Sequence, residues 1–260
     1  MKKKLLMLVF IVTTVSVVMV GAAPLKGMSL NGSTGLVSIP TGRIGWERTA
    51  DFGFDLGYHA VVEEEVTTHI PKMSISLFKM LELGAAHDTQ EESEDSDTII
   101  HGKIQLPIKR ATAIAIGGNA QMLKENDVES NYQQLYLAAT YPGDFFKMPA
   151  ETTFVIGKTF GEHAPDDAID FGMGFDLLLF PEVFQGYIHW INDFSNFSYS
   201  VQPIGADSTF RGVFNTGIRI DLASIPEFSK FKFAVDAIIT DALDANRAFA
   251  LGIAFGAAIK

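Results

Sequence analysis

This sequence predicts an all-β fold: a single antiparallel transmembrane β-barrel of about twelve strands, with ten or fourteen as the alternative counts. Three observations carry the prediction. In the stretch from 169 to 179, Ile169, Phe171, Met173, Phe175, Leu177 and Leu179 are large and apolar, while Asp170, Gly172, Gly174 and Asp176 between them are acidic or lack a side chain. Only Leu178 breaks the alternation. A strand sends successive side chains to opposite faces, so this segment has one oily face and one small, polar face. Its length matches the roughly 9–11 residues that a tilted strand needs to cross a bilayer. Secondly, the same alternation recurs from residue 50 to the end, and no 3.6-residue period competes with it after residue 22. Thirdly, the connections fall into two unlike sets that alternate along the chain.

The elements follow in order. Met1-Lys2-Lys3-Lys4 precedes an uncharged apolar run, Leu5 to Val20, with Val20 and Ala22 in the −3 and −1 places for cleavage before Ala23. Residues 1–22 therefore read as a secretory signal peptide; the rival, an uncleaved anchor helix, fits a run this short less well. Residues 23–34 are small and polar and read as a flexible lead-in. Gly35-Leu36-Val37-Ser38-Ile39-Pro40-Thr41-Gly42-Arg43 reads as a short strand ended by proline and glycine. The whole of 23–49 is the lead-in or a candidate plug, and 50–260 is the barrel.

Alternation begins in earnest with Phe52, Phe54, Leu56, Tyr58 and Ala60 opposite Asp51, Gly53, Asp55, Gly57 and His59. Further strands are expected near 68–76, 81–88, 98–106, 111–120, 132–141, 152–160, 167–179, 185–194, 212–222, 230–240 and 247–259. In the last of these Phe249, Leu251, Ile253 and Phe255 oppose only alanine and glycine.

Twelve strands is an even count, which permits closure with both sheet ends on one side of a membrane. The turns on the side of the termini, near 77–80, 107–110, 142–151, 180–184 and 223–229, are mostly short. They carry Phe78, Phe145, Phe146, Phe180, Phe184 and Phe228. The opposite set, 61–67, 89–97, 121–131, 161–167, 195–211 and 240–246, holds the longest loops and most acid clusters. Short periplasmic turns, long outer loops and an aromatic girdle are what an outer-membrane barrel requires. A soluble exported β-sandwich, the competing fold, gives loops no reason to segregate by alternate turn. It also leaves the alanine and glycine face of the final strand unexplained. Lys158, on the parity of Phe154 and Ile156, is the charge on the proposed lipid face, near a strand end where it can snorkel.

Without residues 1–22 the chain has 17 basic and 31 acidic residues, a net charge of −14. Nucleic-acid binding needs a basic footprint and is excluded. The absence of cysteine excludes disulfides, thiolate chemistry and a lipidated terminus. The histidines His59, His69, His87, His101, His163 and His189 show no spacing that suggests a Ser–His pair or a metal centre. The expectation is no enzyme, no catalytic or metal residues and no cofactor. The acidic loop 91–97 lacks the order of a calcium site and reads as solvated.

The candidate lumen-lining residues are Asp51, Asp55, Lys72, Glu82, Lys103, Asp170, Asp176, Arg219, Asp221, Lys232 and Asp236; Asp193 and Lys230 share their parity. They fit either a salt-bridged, packed interior or a narrow aqueous pore whose acid excess favours cations.

The run from Gly35 to Arg43, with alternation beginning after it, resembles the N-terminal segment of the YjbH-type outer-membrane proteins, which carry a Gly-Leu-x-x-x-Pro-Thr-x-Arg-like start. That resemblance implies an outer-membrane barrel with a link to exopolysaccharide secretion. More broadly, the chain is similar to small porin-like barrels, although it finishes on Ala257-Ala258-Ile259-Lys260 where such barrels usually finish on an aromatic residue. The combined expectation is a bacterial outer-membrane barrel passing small polar solutes or cations. A non-conducting structural or surface-interaction barrel and a secreted ligand-binding sandwich are the alternatives. Expected partners are outer-membrane lipid, the barrel-assembly machinery during biogenesis and, as a candidate, further copies of the chain.

Overall fold

The computed structural model describes residues 27–46, 51–63, 66–91, 93–108, 111–125, 127–161, 169–196, 212–222, 231–244 and 247–259. The segment 1–22 expected to be a signal peptide, Phe228, Lys230, His163 and most of the loop 195–211 lie outside the described residues. Among the described residues the strands are β1 (Phe52–Glu63), β2 (Val66–Leu77), β3 (Leu81–Gln90), β4 (Ser96–Gln105), β5 (Ala113–Glu125), β6 (Val128–Phe145), β7 (Met148–Gly161), β8 (Asp170–Leu178), β9 (Ile188–Ser195), β10 (Val213–Asp221), β11 (Phe231–Thr240) and β12 (Ala248–Ile259). Each pairs antiparallel with its neighbour in sequence, and β1 pairs with β12. The sheet is thus a closed barrel, the one form of sheet that leaves no unpaired edge for lipid to meet.

Alternation explains the pairing. In β12, Leu251 and Ile253 are about half exposed, while Ala250 and Gly252, which alternate with them, are buried. Leu56, Met73, Ile100, Ile116, Leu135 and Ile156 are at least half exposed on β1, β2, β4, β5, β6 and β7. A ring of bare aliphatic side chains on a closed barrel has hydrocarbon as its only favourable surroundings, because the same area in water would lose roughly 25 cal/mol per Å². Asp170 and Asp176, by contrast, are buried. The sandwich reading is therefore overturned: the bulky face points out, not into a second layer.

Two turns on the termini side show how the girdle is built. Phe78-Lys79 and Phe146-Lys147 each hold two successive residues at positive φ, 54° and 60° in the first and 49° and 67° in the second. Tight hairpin turns of this hand usually use Asn-Gly. Here phenylalanine takes the strained position and stands 71 % and 82 % exposed, where an interfacial ring gains contact with the bilayer boundary.

Several details depart from expectation. The loops expected at 61–67 and 121–131 are largely strand, because pairing runs on to Glu63↔Val66 and to Glu125↔Val128. The turn expected at 142–151 is only Phe146-Lys147, because pairing continues through Pro142↔Glu151 and Asp144↔Pro149; the prolines fall in the last rungs of the ladder, not beyond it. One helical turn, α1 (Pro181–Phe184), stands where only a loop is expected. Residues 35–39 form no strand: Gly35 bridges to Pro40 and Met28 to Thr34. Every residue from Gly27 to Trp46 is buried, so 27–34 are not a flexible lead-in. This segment lies inside the barrel.

Candidate functional site: a lumen filled by residues 27–46

The inner segment is too short to satisfy its own backbone, and a buried amide without a partner is costly. A few bonds are internal, such as Leu30 N–H to Val37 O at 2.8 Å and Thr41 N–H to Thr34 O at 3.1 Å. The inward polar side chains of the wall make many of the rest, and they divide the work by charge.

Carboxylates take the amides. The Asp193 carboxylate accepts the N–H groups of Val37, Ser38 and Ile39 on one oxygen, at 2.9, 2.7 and 3.1 Å. Its other oxygen accepts from Ser38 Oγ and from Asn215 Nδ2. Glu82 accepts from Thr34 N at 2.8 Å, from Thr34 Oγ1 and from Gly45 N at 3.0 Å. Gln105 and Thr140 receive Ile44 N–H and Gly42 N–H.

Cations take the carbonyls. Lys72 donates to Ser29 O at 2.6 Å, and Lys103 to Thr34 O and Thr41 O at 2.6 and 3.2 Å. Arg219 donates to Met28 O, Gly35 O and Leu36 O at 3.3–3.4 Å. Several of these cations also hold a wall carboxylate. Arg219 makes a two-pronged contact with Asp236 at 2.8 and 2.9 Å. Lys103 lies 3.3 Å from Glu82, and Lys232 lies 3.2 Å from Asp55 and 4.3 Å from the Trp46 ring centre. In a low-dielectric interior such pairs offset the cost of burying each charge.

Apolar side chains complete the filling. Leu30 and Val37 pack with the inward Val61, Ile70, Ile191, Val213 and Ile238; Leu36 and Ile39 pack with Ile99, Tyr136 and Val155. Inward glycines make sockets for rings. A Cβ on Gly84 would stand 2.5 Å from His101 Nε2, and one on Gly252 would stand 2.2 Å from His59 Nε2. Beside Arg43, which pairs with Glu151, a void of about 10 Å³ remains against Thr153 and Asp176, room for about one water.

The sequence-derived candidates are placed as follows. Asp55, Lys72, Glu82, Lys103, Asp170, Asp176, Arg219, Asp221 and Asp236 are buried, and Lys232 is nearly so. Asp170 accepts from Gln134 and Thr159, and Asp176 lies 2.6 Å from His189. Asp51 is a correction: it precedes β1, is exposed and lies 3.2 Å from Lys79, because the ladder begins only at Phe52. Missed altogether was Glu151, hidden in an expected loop, and also the apolar inward set. Val61, Ile70 and Ile238 carry no mark that separates a packed interior from a lipid face. Among the described residues no group of three His, Cys, Asp or Glu is placed to hold a metal ion.

No family model matches the chain, and no curated protein does. The YjbH-type resemblance therefore remains a likeness of residues 35–43 alone. Solved structures do match. The KdgM porin is 6 % identical, with a TM-score of 0.51 over 79 % of this chain and 99 % of its own. The NanC porin is 7 % identical, with a TM-score of 0.52 over 79 % of this chain and 100 % of its own. At such identities the likeness is one of architecture, and this chain has the closed-barrel fold of those porins.

Proposed function

We propose that the chain is a bacterial outer-membrane channel for small polar solutes or cations, held closed by its own residues 27–46. The observation that carries this reading is the burial of that whole segment inside a lipid-facing barrel, gripped through its backbone by buried wall charges. A wall built only for structural packing has little need of so many inward charges, which are expensive to bury. The likeness in fold to porins agrees with it. On this reading lipid is the partner of the outer face, the barrel-assembly machinery is the route of insertion, and the chemistry is passage without catalysis.

A second reading, a non-conducting barrel that anchors or displays its loops, is favoured by the two apolar clusters between segment and wall. Planar-bilayer recording separates the two. The full chain is expected to be mostly silent, and a folded barrel lacking 27–46 to give discrete conductance steps. Silence of that shortened barrel, with closure verified by heat-modifiable migration on a gel, would sink the channel reading and leave the second.

A further inference from the structure

We infer that the Asp193 carboxylate is the cation-binding point of the vacated lumen, and that the amides of Val37, Ser38 and Ile39 occupy this point in the closed state. The inference rests on the plugged-channel reading and goes beyond it, by naming the site at which permeating cation and plug exclude one another.

The wall charges that hold the segment differ in what they keep when it leaves. Arg219 retains both of its bonds to Asp236, and Lys103 retains Glu82, because these partners are all on the wall. Lys232 likewise keeps Asp55. Asp193 differs. It is fully buried, and four of the five hydrogen bonds it accepts come from the plug: three from successive backbone amides and one from Ser38 Oγ. Among the described residues only Asn215 Nδ2, at 2.8 Å, is a donor from the wall.

Three consecutive amides converging on one oxygen form a backbone nest, which carries partial positive charge and stands in for a cation. Once the nest withdraws, a carboxylate in the barrel interior is left with a single neutral donor. With water in the vacated lumen that carboxylate is ionised, and a fixed negative charge lining a narrow aqueous path concentrates mobile cations. Water and a small inorganic cation can reach the vacated seat; a second backbone of the same shape is not at hand. Lys72 also gives up its bond to Ser29 O, but it stands on β2, five strands round the barrel from β9. Small cations and the plug therefore compete for one oxygen pair, and raising the cation concentration favours opening.

The test uses K⁺ as the probe. In the barrel lacking 27–46, reversal potentials across a KCl gradient are expected to show cation preference. Asp193→Asn shifts them towards zero, and Asp51→Asn, an exposed control, leaves them unchanged. Conduction with the Asp193→Asn potential equal to the parent's, the result expected if Lys72 swings across to pair with Asp193, overturns the inference alone. Silence overturns the channel reading and the inference with it.

Should the shortened barrel fail to fold, trypsin cleavage after Arg43 in the full chain gives the second measurement. Rates are normalised to a free peptide and compared in KCl and in N-methylglucamine chloride at equal ionic strength. Faster cleavage in KCl, abolished by Asp193→Asn, is expected. Equal rates in the two salts for the parent chain overturn the proposal.

Discussion

The two faces of this one sheet obey different rules. On the outer face almost any large apolar side chain serves: Phe, Leu, Ile, Met and Tyr all stand there, and where they touch, as in the ring pairs Phe231–Phe255 and Tyr141–Phe154, no charge or hydrogen bond dictates the partner. On the inner face the identities are particular. Asp193 fits three amides, Arg219 fits Asp236 and three carbonyls, and Gly84 is the space left for His101. A face solvated by a fluid is specified by composition, and a face solvated by its own chain is specified residue by residue. Substitutions should therefore cost most on the inside, and the size of the difference tests the comparison.

The largest effect is expected at Arg219. Arg219→Met removes one partner of a fully buried pair and leaves Asp236 facing His59 without its guanidinium. Breaking such a pair costs about 3–5 kcal/mol. Urea unfolding of the folded barrel in lipid vesicles, followed by the shift between compact and unfolded gel bands, reads the loss directly. A midpoint within error of the parent would mean that the interior is wet enough to solvate Asp236, and the contrast between faces would collapse.

The outer face supplies the next test. Ile253 lies mid-strand in β12, opposite Tyr58 and Val235, and about half of it is exposed. Ile253→Arg places a charge at hydrocarbon depth and is expected to cost about 2–4 kcal/mol, whereas Ile253→Leu changes the midpoint little. The same arginine tolerated without loss would place β12 away from lipid and make the bare ring an interface with another protein.

This difference between faces also decides what the sequence could tell. Alternation through 169–179, and through β1 and β12, was enough to infer a barrel, its strand count and its lipid-facing side, because a period of two is a local property. It also put Asp193 and Glu82 on the inner face. It could not say what they meet there, since Ser38 lies 155 residues from Asp193 and Thr34 lies 48 from Glu82. Composition misled at 27–34, where serine, asparagine and glycine resemble a solvated tail. In fact Ser29, Asn31 and Ser33 bond one another in a tight buried turn. The same holds for Val61, Ile70 and Ile238. They are apolar on the inward parity, where an aqueous lumen would call for polar side chains.

The smallest expected effect sharpens the boundary between the faces, because it concerns two aspartates four residues apart on the same parity. Asp55 is buried beside Lys232, whose ammonium lies over the Trp46 ring of the inner segment, whereas Asp51 stands outside the ladder and meets Lys79 in solvent. Exposed pairs contribute about 0–1 kcal/mol, so Asp51→Asn should leave the unfolding midpoint almost where it was. Asp55→Asn removes a charge-assisted bond from an enclosed site and is expected to cost about 1.5–3 kcal/mol. Lys232 would then be left with the ring face alone. The paired measurement asks where the interior begins. If the two variants lose the same stability, the barrel mouth beside β1 is open to water up to Asp55, and the inner segment would be anchored only from Arg43 inward.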